Sequence, residues 1–560
     1  MPASSTKIIF ITGGVLSGIG KGVVSASIAK LFQLRGYEVD MIKIDPYLNV
    51  DPGTLNPIEH GEVFVCDEIW TFTPAKGFKF TIAEIDQDFG TYERFLNKDM
   101  HPRNNITSGQ VYLSVILKER YGEFLGRTIQ VIPHITNEIK RRIYDVMKKS
   151  KPDILIVEVG GTVGDIEAMP YLEAIRQIIL EKKYDTLLIH LTLVPYFEPV
   201  GQLKTKPTQH SVRMLQSLGL QPDIIIGRSK TPLTEEVKEK ISLYCNVTKE
   251  AVFSDPDIDV IYELPILLEK QNLGVYLSER LGLKNTKPDP AKLKEWKKIV
   301  NSFRKSKGKV VIAMPGKYTH IYDSYISIKE ALRHAAAYHG LSVDLVYRDS
   351  TLYEKDERLL EKDMETVDGI LLTPGFGTRG VEGMIKVASY ALEKDIPFLG
   401  ICFGAQLLFV AFVRKYLGLK DANSTEVNPR TPFPVVDLLP EQKKMKLKGG
   451  TMRLGSHLIR VVKGTHLFRA YRKEIIYERF RHRYHIMPDY AEKTRRHGLV
   501  ISAFDSTGRI INAIEVSNRK WMVGVQFHPE FKSRPGKPSP IYRDFILASY
   551  SNSKKYNRRT

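Results

Sequence analysis

The stretch PFLGICFGAQ, residues 397–406, sets Cys402 between Gly400 and Gly404. An apolar run leads into it and the helical pattern AQLLFVAFVRKYL leaves it. Strand, sharp turn and helix are the setting of a nucleophile elbow: the turn exposes the nucleophile, and the helix N-terminus favours a thiolate. Much later, VGVQFHPEF at 523–531 puts His528 and Glu530 at the end of another apolar run. His528 has the chemistry of a general base for Cys402, and Glu530 that of the group orienting the imidazole. A lone cysteine is more often a buried structural residue. The order Cys…His-x-Glu, at two strand ends of one region, is what argues for catalysis.

A second constellation lies near the start. GGVLSGIGKG, residues 13–22, follows the apolar run Ile8–Ile11. The common phosphate-binding loop reads G-x-x-x-x-G-K-[ST], and its final hydroxyl holds Mg²⁺. Here Gly20-Lys21 is present, but Val15 stands where the first glycine belongs and Gly22 replaces the hydroxyl residue. Backbone N–H groups of residues 17–22 and the following helix offer an anion site. Lys21 can bridge a transferred phosphoryl group. The loop can cradle phosphate but lacks its usual metal ligand.

Both constellations need strands and helices to hold them. Near-continuous apolar runs at Ile8–Ile11, Val39–Ile44, Ile154–Val159, Thr186–Val194 and Ile224–Ile226 read as strands buried on both faces. Helical stretches alternate with them, which predicts a doubly wound parallel α/β domain over 1–280. Residues 281–307 are lysine-rich, and Leu293, Trp296, Val300 and Phe303 fall at helical spacing. They form a linker with one helix packed on a domain. Strand-like runs resume at Val310–Met314 and continue to Met522–Phe527, giving a second doubly wound α/β domain over 308–552. A basic tail, 553–560, closes the chain.

The 560 residues carry 83 Lys+Arg against 64 Asp+Glu, a formal charge of +19. No stretch interleaves basic and aromatic residues as a nucleic-acid module does, so polyanionic small substrates explain the charge better. Cys66, Cys245 and Cys402 are too few and too scattered for a disulfide framework or a metal site. No apolar run reaches the roughly 18 residues of a membrane span. The N-terminus, a short polar arm leading into a strand, lacks the zones of a signal peptide, so a cytoplasmic protein is expected.

The cysteine, histidine and glutamate pattern resembles the class I glutamine amidotransferases, which hydrolyse glutamine through a cysteinyl thioester. TPGFG at 373–377 resembles their oxyanion-hole segment. Pro374 stands where the family has glycine and brings no N–H, so the donor falls to Gly375. The first half carries long unusual segments: KIDPYLNVDPGTLNPIEHGEVFV (43–65), IVEVGGTVGDIEAMPYLEAIRQ (156–177) and LVPYFEPVGQLKTKPTQHSV (193–212). With the loop, they identify the chain as a member of the CTP synthase family, from about residue 7 to 550.

That resemblance implies a reaction in three steps. ATP phosphorylates O4 of UTP, glutamine hydrolysis releases ammonia, and ammonia displaces the phosphate at C4 to give CTP. It implies ATP at Ser17, Gly18, Ile19, Gly20, Lys21, Gly22 and Val23, with Asp88, Asp257 and Ile258 also in the ATP site. Pro256 replaces a lysine expected beside Asp257. Lys21 and Lys43 attend the transferred phosphoryl group. Mg²⁺, bound with ATP, falls to Asp88 and Glu158, whose oxygens suit that ion. UTP, and CTP as product and feedback inhibitor, fall to Ser17, Gln130, Asp165, Ile166, Glu167, Lys204, Thr205, Lys206, Pro207, Thr208, Gln209 and Lys240. Glutamine falls to Gly375, Phe403, Gly404, Ala405, Gln406, Glu426 and Arg483, the arginine being able to clamp a carboxylate. The resemblance also implies a homotetramer and activation by GTP.

One segment departs from the family. CDEIWTFTPAKGFKFTI (66–82) is longer by about a dozen residues than the motifs around it require. Its alternating aromatics around Pro74-Ala75-Lys76-Gly77 predict a β-hairpin with one aromatic face. It stands where it could shape the UTP pocket or a subunit contact, or simply pack on its own subunit. The same residues speak against two other functions. An amidotransferase acting on a carboxylate is disfavoured by KTKPTQH and GDIE. A binding protein built from a dead enzyme is disfavoured because every expected catalytic residue is present.

Overall fold

The computed structural model describes residues 6–317, 322–444 and 449–556. The polar arm 1–5 and the second half, 557–560, of the expected basic tail 553–560 lie outside the described residues. The chain forms two compact units, Met1–Pro52 with Trp70–Val300, and Gly53–Ile69 with Asn301–Thr560.

The first unit is built on seven strands in the order Val252–Pro256, Ile224–Ser229, Thr186–Leu193, Lys7–Gly13, Ile154–Val159, Val39–Asp45 and Asn105–Thr107. Every pairing is parallel. The first strand of the chain is central, with Ile8–Ile11 fully buried, as its unbroken apolar run requires. The phosphate-type loop leaves its C-terminal end, which is where open α/β sheets bind ligands. The linker helix forms over Pro290–Arg304 and buries Trp296 and Val300. The Trp296 indole N–H donates to the Tyr262 carbonyl at 2.9 Å, and its ring lies 6.0 Å from that of Phe95. This helix therefore packs on the first unit.

The predicted hairpin is present. Strands Phe64–Phe72 and Phe80–Ile85 form a two-stranded sheet, with Gly77 at φ 86° in its turn. Phe72 is buried between Trp70 and Phe80, and the Arg142 guanidinium lies 4.9 Å above its ring.

The second unit holds a nine-stranded sheet. Its strands Ser342–Asp349, Lys309–Gly316, Gly369–Leu372, Phe398–Ile401 and Met522–Val525 are parallel. The remaining four, Ile511–Val516, Leu499–Asp505, Arg453–Val461 and Ile475–His482, continue it antiparallel. The α/β class is as expected, and the antiparallel half is a refinement of the doubly wound reading. Alternation along the strands serves two cores: Ile370, Leu372 and Phe398 face one, Leu371, Leu399 and Ile401 the other. The helix Phe403–Tyr416 fills the first core with Leu407 through Val413. Each such side chain contributes about 1.5–3 kcal/mol on burial.

Residues 53–69, which the strand pattern assigns to the first domain, belong to this second unit. Specific ties hold them. Arg479, fully buried, donates to the Asp67 carboxylate and, at 2.9 Å, to the Val65 carbonyl. Lys532 reaches the other Asp67 oxygen at 2.8 Å, and the Phe64 ring meets Phe531 edge-on at 5.0 Å. Burial would push the Asp67 carboxyl up, but these two cations outweigh it and hold it below the usual range.

Candidate active sites

In the first unit, the loop after Lys7–Gly13 takes its shape from left-handed backbone at Val15, Gly18 and Gly20, with φ of 79°, 73° and 94°. Val15 thus adopts the conformation a glycine provides in the common loop. Helix Lys21–Leu34 starts directly after Gly20. Ser17 and Gly18 are exposed at the tip, whereas Ile19 and Val24 anchor the loop below. A Cβ on Gly22 would stand 2.3 Å from Asp88 Oδ1. The missing hydroxyl therefore has a replacement: the Asp88 carboxylate occupies the space a serine or threonine side chain would take.

Lys43, at the end of the neighbouring Val39–Asp45 strand, donates to Asp88 Oδ2 and, at 2.8 Å, to Glu158 Oε1. Asp86 Oδ1 is 4.0 Å away, and the Tyr92 hydroxyl donates to the second oxygen of Glu158. Burial disfavours the charged ammonium of Lys43, but Asp88, Glu158 and Asp86 outweigh it and raise its pKa well above the ordinary value. Lys21 lies back on the strand end, donating to the Gly161 carbonyl at 2.7 Å. Burial, then the Lys43 charge, lowers its pKa. Burial pushes Asp45 up to about 6, opposed by Lys43 and by an amide donor, Asn105. Asp88 and Glu158 thus turn oxygens toward the same Lys43 ammonium, and carboxylate oxygens are donors of the kind a hard divalent ion takes.

The other residues expected at the nucleotides divide. Lys206 and Pro207 share a depression of about 440 Å³ with Val15, Thr162 and Ser211. Thr205, Thr208 and Gln209 are buried: Gln209 Nε2 donates to the Thr205 hydroxyl at 3.0 Å, and the Thr208 hydroxyl to the Leu193 carbonyl at 3.1 Å. Asp165 accepts from the Thr162 N–H at 2.7 Å, and Ile166 and Glu167 follow it into solvent. Asp257 pairs with Arg228 at 2.6 Å, beside the half-buried Ile258. Gln130 and Lys240 are exposed on other elements, and Lys204 donates to Gln202 at 3.1 Å. The described contacts do not bring these last three to the loop.

In the second unit, Cys402 joins the Phe398–Ile401 strand to its helix with φ 50° and ψ −101°. Such backbone is strained for a residue with a side chain, by about 1–3 kcal/mol. The flanking glycines serve close packing: a Cβ on Gly404 would meet the Leu372 carbonyl oxygen at 2.2 Å. Cys402 faces a cavity of about 490 Å³ whose walls include Gly375, Phe403, Gln406, Glu426, Arg483, His528 and Glu530. Gly404 and Ala405 are buried in the helix and are not among its lining residues. His528 Nδ1 lies 2.7 Å from Glu530 Oε1. Its Nε2 is buried without a hydrogen-bond partner among the described residues. Burial opposes an imidazolium there, but the Glu530 carboxylate and the Cys402 thiolate outweigh it, raising the pKa to about 10.

Opposite the nucleophile, Glu426 accepts from the Gly377 N–H at 2.9 Å, and Arg483 donates to Gln442 at 2.7 Å and Thr451 at 2.9 Å. Burial raises the Glu426 pKa against Gly377, Lys317 and Arg483. Lys317 Nζ ties the oxyanion segment, donating to the Phe376 and Gly377 carbonyls at 2.8 and 2.6 Å. Its own pKa falls to about 8 through burial. Sequence reasoning missed Lys317, which stands in no chemical motif. It also missed Gly53, Glu62 and Val63, which line this cavity although they lie more than 250 residues before Ser324 on the same wall.

The chain is similar to known proteins over nearly its whole length. Residues 7–283 match the family described as CTP synthase N-terminus, and residues 320–548 that described as glutamine amidotransferase class-I. A CTP synthase of Carboxydothermus hydrogenoformans is 49% identical over 552 residues, 98% of this chain and 100% of its own length. One from Pyrococcus abyssi is 50% identical over 546 residues, 97% of this chain and 98% of its own. Among solved structures, the glutaminase domain of Trypanosoma brucei CTPS with bound acivicin is 33% identical, with a TM-score of 0.41, over 43% of this chain and 94% of that one.

Proposed function

The chain belongs to the CTP synthase family, glutamine-hydrolysing ligases that make CTP from UTP in pyrimidine biosynthesis, and on that premise we propose how its two sites divide the reaction. The carrying observation is the second cavity. A strained cysteine, a buried His528–Glu530 pair and the Glu426 and Arg483 charges share one pocket.

His528 Nε2 holds the proton taken from Cys402, and the thiolate so formed attacks the glutamine carboxamide carbon. The Gly375 and Phe403 N–H groups meet the developing oxyanion. His528 then returns the proton to the leaving nitrogen, releasing ammonia, and water hydrolyses the thioester. Arg483 and Glu426 bind the α-carboxylate and α-ammonium of glutamine.

In the first unit, residues 17–23 cradle ATP, with Asp257 and Ile258 toward the adenine. Lys21 and Lys43 neutralise the phosphoryl group passing from ATP to O4 of UTP. Uracil O4 is a poor leaving group until it is phosphorylated, after which ammonia displaces phosphate at C4. Asp88 and Glu158 would hold Mg²⁺, which would supply positive charge against the phosphates. The room at Gly22 that Asp88 fills supports this assignment. UTP, and CTP as inhibitor, contact Ser17, Asp165–Glu167 and the segment 204–209. Gln130 and Lys240, exposed on other elements, suit a site completed between the subunits of a homotetramer. GTP activation and a cytoplasmic location accompany this reading. Among the described residues no helix is long and apolar enough to cross a membrane. The domain limits 1–280, 281–307 and 308–552 remain our functional division of the chain.

Cys402→Ala tests the division of labour. Glutamine-dependent CTP formation should fall at least about 10³-fold, while synthesis from added ammonia persists. Loss of both with the fold intact would contradict it.

A further inference from the structure

Gln526 follows the strand Met522–Val525 and is buried beside Cys402. Its backbone N–H donates to the Asn512 carbonyl at 2.9 Å, which fixes the residue in the sheet. Its side-chain nitrogen lies 3.5 Å from Cys402 Sγ. Which end of the amide faces the sulfur follows from the neighbours. The Tyr484 carbonyl can only accept, and the Gln406 side chain meets it at 2.9 Å, so Gln406 presents Nε2 there. The same Nε2 meets the Gln526 side chain at 3.0 Å, and that partner has to be an acceptor. Oε1 of Gln526 is therefore turned to Gln406, and Nε2 to the sulfur. A backbone carbonyl dictates, through two amides, that an N–H points at the nucleophile.

The other contact of the sulfur runs in the opposite sense. As a thiol, Cys402 donates to the Arg481 carbonyl at 3.5 Å. Once its proton passes to His528 Nε2, the sulfur has no hydrogen to donate to that carbonyl. The Gln526 N–H suits the anionic sulfur better than the neutral one, since hydrogen bonds to charged groups are the stronger kind. The titratable groups facing the sulfur are His528 and, behind it, Glu530.

We propose that Gln526 is a catalytic residue of glutamine hydrolysis, donating its side-chain N–H to the Cys402 thiolate in the orientation Gln406 imposes. The inference rests on Cys402 being the nucleophile.

The test uses the full chain and two variants, Gln526→Leu and the nearly isosteric Gln526→Glu. Glutaminase kcat/KM is measured together with the pH dependence of Cys402 alkylation by iodoacetamide, followed on the Cys402 peptide by mass. Gln526→Leu should lose about 10- to 100-fold in kcat/KM. Its alkylation curve should move about one unit toward higher pH, with the alkaline plateau rate kept. That plateau also shows the site is folded. Gln526→Glu, which puts a negative charge against the sulfur, should lose more. An unchanged kcat/KM and alkylation curve in both variants overturns the proposal. So does a changed plateau at an unchanged midpoint, which would make Gln526 a packing residue. Glutaminase activity that survives Cys402→Ala, with Gln526 kept, overturns instead the nucleophile assignment, and the two failures are distinct.

Discussion

At the loop site the charged groups are spent on one another. Lys43 is bound by Asp88 and Glu158, and Lys21 rests on the Gly161 carbonyl. At the cysteine site His528 is set by Glu530 while its Nε2 faces the cavity free of any hydrogen-bond partner among the described residues. The second site is preorganised for a neutral substrate, and no charge has to be exchanged before attack. On the proposed assignment the first takes triphosphates, and Lys43 and Lys21 lie among the Asp45, Asp86, Asp88 and Glu158 carboxyls. Binding there would then be an exchange of partners: phosphate for carboxylate at the lysines, and a cation for lysine at Asp88 and Glu158. The difference teaches that reactivity is stored at one site and charge balance at the other.

Lys43→Met would break the balanced site most severely. It leaves Asp88, Glu158 and Asp86 without their shared ammonium and with Lys21 as a more distant cation, and losing one partner of such a group costs about 3–5 kcal/mol. Synthesis from either nitrogen source should disappear. Urea unfolding should show the first unit's transition displaced, with Cys402-dependent glutamine hydrolysis retained. An unshifted transition would mean the carboxylates take up protons at no cost, and the charge-balance picture fails.

Gly22→Ser probes the same corner more gently. It restores the hydroxyl of the common loop, Val15 still departing from it, yet its Cβ would sit 2.3 Å from Asp88 Oδ1. Asp88 is the far end of a side chain and can swing aside, so stability should change by less than about 1 kcal/mol. Asp88 would then lose its place beside Lys43, and synthesis from both ammonia and glutamine should fall about 10- to 100-fold. A gain in activity would show that the hydroxyl, not Asp88, belongs at that position.

At the preorganised site the matching probe is pH. His528 is raised from the ordinary 6.5 to about 10, because Glu530 and the thiolate outweigh burial. A group whose folded pKa is raised contributes stability that is complete below about pH 6.5 and lost as pH climbs through about 10. Glu530→Gln removes the larger favourable cause. The fall in thermal midpoint between pH 6.5 and 10 should therefore be shallower in Glu530→Gln than in the wild type. Parallel slopes in the two would place the alkaline loss elsewhere.

How much of this was legible in the sequence differs between the two regions for a physical reason. The parallel strands are buried on both faces, so Ile8–Ile11 and Phe398–Ile401 announce themselves as apolar runs. The elbow and the loop are local turns whose glycines stand side by side in the chain. Ile475–His482 announces nothing: it reads IIYERFRH, and its buried Arg479 is explained by Asp67 and the Val65 carbonyl, some 400 residues earlier. The same long-range tie moves 53–69 into the second unit, which no local periodicity encodes. Gln526 was visible as a letter in VGVQFHPEF, but its role depends on an amide orientation set by Tyr484 and Gln406. Asp88 could be placed near the loop by resemblance, whereas its taking the room at Gly22 required coordinates.

The finest distinction between the sites lies in their backbones. Val15 and Cys402 both turn the chain with positive φ, yet they are not equally strained. Val15, at φ 79°, lies near the left-handed region, where a residue with a side chain loses about 1–2 kcal/mol. Cys402 combines φ 50° with ψ −101°, outside that region altogether. Glycine relieves either strain but forfeits about 0.5–1 kcal/mol of conformational entropy. Val15→Gly should therefore stabilise the ligand-free chain by about 1 kcal/mol or less. Cys402→Gly should exceed Cys402→Ala by a larger margin, since alanine keeps the strain and glycine does not. Denaturant midpoints of the three variants check the order. If Val15→Gly gains more than the Cys402 pair differs, the greater backbone strain resides at the phosphate loop, and the claim that reactivity is stored behind the cysteine loses its structural basis.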